Sequence, residues 1–253
     1  EFLDIFELLI LPFINHIMAI KMKKVFCLLF CILCSSGILS AKLLTHLEFE
    51  ESLEDSVGDN NGTFKGSSSA TYQTGRNGKA LVFNGTSDYL EFGKGDFNPA
   101  QFGGRYSISM WVLSTDQAST SNNNCYIGKH TSSGNNAVLF GYYGGELVFQ
   151  IKNTVAHVSA AGNEPENKWV HYVVSAIEDN NDGTTSVVIY KNGSQVWSGT
   201  LNDVAGDFEE DDKSWVLGMD WDSSTLKTDF FKGRMDNVRI YDWNITADEV
   251  KEL

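Results

Sequence analysis

Cysteine, proline and positive charge are all scarce in this chain. Of its 253 residues three are proline and four are cysteine, and 19 lysines and arginines stand against 33 acidic residues, a net charge of −14. Three of the cysteines, Cys27, Cys31 and Cys34, fall in one apolar stretch near the N-terminus, so Cys125 is alone beyond it and no intramolecular disulfide can form there. A domain without such staples is held by its core, and residues 42 to 253 are enough to build a large one. Cys125 is expected to be a small buried apolar side chain rather than a reactive thiol. The acidity argues against nucleic acid and anionic lipid as partners, and suits either cation binding or solvated acidic loops.

Long uninterrupted apolar runs are also missing. Residues 1 to 21 are broken by Asp4, Glu7, Pro12 and His16, which argues against a bilayer span. This stretch reads as a leader ahead of a start at Met22. From Met22 the pattern becomes MKKVFCLLFCILCSSGILSAK: Lys23 and Lys24, then the apolar run Val25 to Leu33, then small residues ending at Ser40 and Ala41. That is the layout of a secretory signal peptide over residues 22 to 41, and it predicts a secreted or cell-surface protein. Leu33 is bulkier than a lipoprotein acylation site at Cys34 would accept. All three lysines and all three acidic residues of the first 41 positions cancel, so the net negative charge belongs to residues 42 to 253, which read as one domain.

Helical periodicity is absent from residue 45 until the last eight residues. Short alternating runs recur instead between turn signals, among them KALVFN, YSISMWVL, ELVFQIK, KWVHYVVSAIE and TSVVIYKN. With 23 glycines and so few prolines, this predicts an all-β antiparallel sandwich or jelly roll. Asn192-Gly193 is a two-residue hairpin signal. At the end of the chain, Thr246 with Glu249 forms a capping box and Ile245 with Val250 a hydrophobic staple, predicting one short C-terminal helix.

Catalytic signatures are equally sparse. The chain has no G-x-S-x-G elbow, no H-E-x-x-H and no phosphate-cradling glycine loop, and its five histidines are scattered. DNNDG at 179 to 183 has the wrong spacing for an EF-hand and reads as a hairpin loop, and FEEDD at 208 to 212 as a solvated acidic loop. Asn61, Asn84, Asn192 and Asn244 begin N-x-S/T sequences, which matter only in a glycosylating host. Trp111 and Trp169 have apolar strand neighbours and are expected in the core. Trp221, between Asp220 and Asp222 in a polar loop, and Tyr142 with Tyr143, before Gly144-Gly145, are candidate platforms for stacking a sugar ring.

One strand poses a problem. In RMDNVRIY a regular alternation puts Arg234, Asp236, Val238 and Ile240 on one face, so a carboxylate shares the side of two core residues. Burying it uncompensated costs several kcal/mol. Backbone N–H groups, Arg234, Arg239 or a bound cation would each serve.

The blocks LEFEESLEDSVGDNNGTF, GKALVFNGTSDYLEF, YSISMWVLS, KWVHYVVSAIEDNNDGTTSVVIYKNGSQVWSG and VLGMDWDSSTLKTDFFKGRMDNVRIYDWNITADEVKEL, in that order, resemble the bacterial laminin-G-like, concanavalin A-like jelly rolls. The resemblance implies a structural calcium held by Asp236, by Glu50 and by the backbone of Gly85. Leu47 and Phe49 face inward, so Glu50 reaches such a site only where the first strand ends or bulges. The ExDxxE strand of related glycoside hydrolases is missing, since Glu48, Glu50 and Glu54 have other spacing. The expected function is therefore a non-catalytic module that binds a polysaccharide or glycoprotein, with no nucleic acid partner. A divergent hydrolase or lyase with an unrecognised carboxylate pair, and a protein-binding adhesion module, are the alternatives.

Overall fold

The computed structural model describes residues 41–66, 69–93, 104–116, 122–130, 136–178, 182–203, 214–223 and 225–253. The expected leader and signal segments, FEEDD and the first three residues of DNNDG lie outside them. With strands numbered along the chain, one sheet runs in the order β13 (Ser194–Leu201), β12 (Thr185–Lys191), β11 (Trp169–Glu178), β6 (Arg105–Ser114), β17 (Lys232–Tyr241), β4 (Lys79–Asn84) and β3 (Tyr72–Thr74). β1 (Leu43–Leu47) also pairs with β17. The second sheet runs β10 (Thr154–Val158), β9 (Glu146–Ile151), β8 (Asn136–Tyr143), β7 (Asn124–His130), β14 (Trp215–Leu217), β5 (Tyr89–Phe92) and β2 (Thr63–Lys65). A small hairpin joins β15 (Asp220–Trp221) to β16 (Lys227–Thr228), and one helix, α1 (Ala247–Lys251), closes the chain. Among the described residues no helix is long and apolar enough to cross a membrane.

Strand alternation builds the core between the sheets. In β6, Tyr106, Ile108, Met110 and Val112 point inward, and in β11 so do Val170, Tyr172, Val174 and Ala176. They meet Tyr126, Phe140, Phe149 and Trp215 of the second sheet, with Tyr126 and Tyr172 in ring contact at 5.6 Å across the sandwich. The same alternation turns Ser107, Ser109 and Trp111 of β6, and Trp169, His171 and Ser175 of β11, to the outer face. Trp111 and Trp169 are therefore half-buried on the outside of the sheet rather than in the core, contrary to expectation. Cys125 is buried as a free thiol beside Leu139 and Val148.

The expected local signals appear where the sequence places them. Asn192 and Gly193 form the two-residue β12–β13 turn with φ of 51° and 76°, the positive pair a type I′ turn requires. Thr246 Oγ1 accepts from Glu249 N–H while Glu249 Oε2 accepts from Thr246 N–H at 2.7 Å, completing the capping box. The helix is fastened to the outer face through Ser107, whose buried hydroxyl donates to Trp243 O and accepts from Ile245 N–H, both at 2.9 Å. Val250 and Ile245 then pack against Val173, Tyr190 and Tyr241. Ser107→Ala would leave the buried Ile245 N–H and the half-buried Trp243 carbonyl without this partner, so we expect a loss of about 1–3 kcal/mol in urea-unfolding stability. A change below 0.5 kcal/mol would show that the helix is held by apolar contacts alone.

Candidate functional site

Strand β17 does not keep the regular alternation that would aim Asp236 inward. Asp236 opposes Trp111 and Arg239 opposes Ser109, so two residues of β17 face the single Met110 between them. Asn237 adopts φ of 51°, a left-handed conformation asparagine tolerates better than most residues, and this β-bulge reverses the face of every residue after it. Met235 points into the core before the bulge and Val238 and Ile240 after it. Asp236 points to the outer face beside Trp111.

Asp236 is nonetheless fully buried, because the β3–β4 turn, Gly75 to Lys79, folds over it. Its Oδ2 accepts from Arg76 N–H at 2.7 Å and Asn77 N–H at 3.0 Å, and its Oδ1 from Asn237 Nδ2 at 2.7 Å. Asn237 Oδ1 in turn bonds Arg239 Nη2 at 3.1 Å and His46 Nε2 at 2.9 Å, which fixes the amide's orientation. Arg234 is engaged elsewhere, donating to Thr74 O at 2.6 Å.

Glu50 binds the same turn at Lys79, with both carboxylate oxygens 3.1 Å from Lys79 N. It reaches there because β1 ends at Leu47 and the chain then bends through left-handed Phe49 (φ 61°) and Glu51 (φ 56°), while Phe49 stays in the core. The turn lies tight against both acids. A Cβ on Gly75 would stand 2.7 Å from Asp236 Oδ2, and one on Gly78 would collide with the Glu50 carboxylate. Burial raises the Asp236 pKa above its ordinary value and the nearby Glu50 charge raises it further, against the lowering by its three hydrogen bonds.

Gly85 does not join them. It follows the end of β4, where Asn84 pairs with Lys232, and a Cβ there would meet the Lys232 side chain. Asp236 lies several residues further along β17, roughly 15 Å away at strand rise. The glycine-containing turn that does approach the acids is GRNG, residues 75 to 78.

The bonds around Asp236 lead into a groove of about 630 Å³ on the outer face. Its lining includes Arg76, Trp111, Trp169, His171, Asn192 and Lys251. Trp111 is held between two neighbours: His171 stacks on it with ring centroids 4.9 Å apart, and the Arg76 guanidinium lies 4.7 Å from its ring centre. Arg234 approaches the Trp169 ring at 5.7 Å. His171 Nε2 meets Ser109 Oγ at 2.8 Å, and His171 N–H donates to Asn192 Oδ1 at 3.0 Å. Sequence reasoning missed this groove, although the outward positions of SISMWVL and KWVHYVV follow from strict alternation.

The aromatic residues first suggested as sugar platforms lie elsewhere and are not exposed rings. Tyr142 is fully buried in the core, in ring contact with Tyr126 and Tyr172. Tyr143, on the opposite face of β8, packs against the Cys125, Leu139 and Val148 cluster. Trp221 is only 8% exposed, packed edge-on to Tyr89 with Lys227 over its ring.

Residues 84–251, more than half of the chain, match the family model described as the concanavalin A-like lectin/glucanases superfamily, within the laminin G group, and the chain belongs to that family. No curated protein matches it. Among solved structures it is similar to domain 4 of AbnA, a GH43 extracellular arabinanase from Geobacillus stearothermophilus, in complex with arabinotriose. The TM-score is 0.62 at 23% identity, covering 84% of this chain and 98% of that one. It is also similar to the binding domain of Paraclostridial Mosquitocidal Protein 1, at TM-score 0.60 and 16% identity, covering 83% of this chain and 51% of that one. A structure of botulinum neurotoxin type C, whose cell entry depends on two ganglioside molecules, gives TM-score 0.59 and 15% identity, covering 83% and 50%. The chain thus spans about half the length of these toxin chains and nearly all of the arabinanase domain.

His171 offers a test of the groove's wall. Burial, aided by the Arg239 charge, lowers its pKa from 6.5 to about 4. The folded state therefore holds fewer protons than the unfolded chain between those values, and stability should fall as pH drops from about 6.5 to 4, by about 3 kcal/mol at most. Unfolding of wild type and His171→Gln should diverge across that interval. Parallel pH profiles would show that the imidazole is not held neutral.

Proposed function

We propose that this domain is a secreted, non-catalytic carbohydrate-binding module whose saccharide lies in the outer-face groove between the Trp111–His171 stack and α1. The observation that carries this reading is the groove itself. Its volume falls in the range of ligand sites, about 300–1,000 Å³. It combines two indole rings with the polar groups of Arg76, Asn192 and Lys251, the pairing of apolar surface and fixed donors that sugars require. The likeness to an arabinanase domain seen with arabinotriose supports a saccharide ligand. The described lining holds no Asp or Glu side chain, whereas glycoside hydrolysis uses two flanking the bond.

Calcium belongs to this proposal as a structural element. Asp236 and Glu50 would hold it, without Gly85. Two carboxylates converging on one turn are a hard oxygen donor set suited to calcium, and the Cβ-free faces of Gly75 and Gly78 leave the acids room that any larger residue would take. When bound, the ion would offset the repulsion between the two carboxylates and stiffen the turn that carries Arg76 into the groove. The module would act by presenting a preformed surface.

Titration calorimetry against a panel of soluble polysaccharides and arabino-oligosaccharides tests the binding reading. We expect at least one ligand, bound about tenfold more weakly by Trp169→Ala and also weakened by Arg76→Ala. No binding across the panel, or a ligand indifferent to both substitutions, would overturn it. For the ion, calcium added to chelated protein should slow hydrogen exchange at the amides of residues 76, 77 and 79. Unchanged exchange there would mean that protein hydrogen bonds alone satisfy Asp236.

A further inference from the structure

The β15–β16 hairpin carries a second acidic constellation, remote in sequence from Glu50 and the β3–β4 turn. Asp220, Asp222 and Asp229 each bring a carboxylate oxygen within 4.8 Å of the others. Asp220 and Asp222 flank Trp221, and Asp229 directly follows Thr228, the residue paired with Asp220. The three differ in exposure: Asp220 is buried, Asp229 half-buried and Asp222 exposed. One edge of the cluster is therefore open to solvent.

Acidic side chains gather on many surfaces without consequence, but this cluster has buried hydroxyl groups against it. The Tyr143 Oη and Thr228 Oγ1 atoms are sealed from solvent, and neither has a partner within hydrogen-bonding geometry. Thr228 sits directly across the ladder from Asp220, where side chains share a face. Tyr143 packs against Cys125, whose N–H donates to Asp229 O at 3.0 Å, which brings the Tyr143 side chain to the same place. A buried hydroxyl without a bond is destabilising, a defect that an ion or its bound water would remove. Asn123 Nδ2 donates to Asp229 Oδ1 at 3.2 Å, and Lys227 turns its ammonium to the rings of Tyr89 and Trp221, 4.8 and 5.0 Å away.

We propose that Asp220, Asp222 and Asp229, with the hydroxyl groups of Tyr143 and Thr228, form a calcium site that clips the β15–β16 hairpin to strands β7 and β8 of the second sheet. Hard oxygen donors of this kind, with an open side for water, match the six to eight oxygens calcium takes. The ion would also hold Asp229 in its left-handed conformation (φ 51°), where its carbonyl accepts from Cys125 N–H at 3.0 Å.

The test is calcium titration calorimetry on the chelated, purified chain. Glu50→Gln, at an exposed position, disables the other candidate ion site without opening the core. In that background one calcium should bind per chain, and adding Asp222→Ala should weaken that binding at least tenfold. Asp222 is exposed, so this variant should fold, and its midpoint in chelator should equal or exceed its parent's because one of three like charges is gone. Asp229→Asn should weaken calcium binding in the same background. The proposal is overturned if Glu50→Gln protein binds no calcium, or if Asp222→Ala and Asp229→Asn leave its affinity unchanged.

Discussion

The outer face of this sandwich depends on how one buried carboxylate is satisfied. Asp236 cannot be left without partners at zero exposure, and the chain supplies them by folding the 75–79 turn onto it and offering two consecutive backbone N–H groups. Charge-assisted bonds of this kind are stronger than neutral ones, so the turn is fixed more firmly than its exposure would suggest. Glu50 seizes the far end of the same turn. Because Glu50 follows the first strand and Asp236 lies in the last, the two acids also join the beginning and end of the sandwich through a shared partner.

From Asp236 a continuous row crosses the sheet. Trp111 stands opposite it on β6, His171 opposite Trp111 on β11, and Asn192 caps the row from the β12–β13 turn. Each member limits the next: the carboxylate holds the turn bearing Arg76, Arg76 and His171 hold the indole, and Asn192 fastens the His171 backbone. Side chains locked in this way would lose little entropy on binding the proposed saccharide, which is the advantage of a preorganised surface. A sheet face lined by freely rotating side chains of the same composition would offer the same groups at lower affinity.

How much of this was legible in the sequence depends on the range of the interaction involved. The sandwich, the Asn192-Gly193 turn and the capping box at Thr246 rest on local periodicity and turn chemistry, and all three appear as expected. Trp111 and Trp169 were readable too: in SISMWVL the residues Ile108, Met110 and Val112 claim one face, which leaves the indole on the other, and apolar neighbours in sequence are not neighbours in space. The bulge at Asn237 was not readable, because a strand and a bulged strand share one composition and only pairing with β6 shows the slip. The misplaced Gly85 has a similar cause. Two glycine-bearing turns flank β4, and which one meets the acids is settled by where β1 ends. Burial of long-range polar groups was hidden as well: Glu164 lies in the polar stretch AGNEPENK yet is 1% exposed, accepting from Tyr126 Oη at 2.5 Å and Asn124 Nδ2 at 2.7 Å.

The row's two titrating members make opposite demands on pH. His171 is comfortable when neutral, so acid works against it, whereas Asp236 has a raised pKa and is most easily accommodated when protonated. Stability from Asp236 is present below its ordinary pKa and is lost as pH rises through the elevated one. Near neutrality the histidine is thus satisfied and the carboxylate pays for its charge, with Glu50 adding to the cost. Protein hydrogen bonds recover part of that cost, and those from Arg76, Asn77 and Lys79 hold one turn against both acids. A cation held by Asp236 and Glu50, as proposed, would lower the energy of Asp236 without protonating His171. The same pH at which the groove's histidine is neutral is therefore the pH at which the turn beside it has most to gain from an ion.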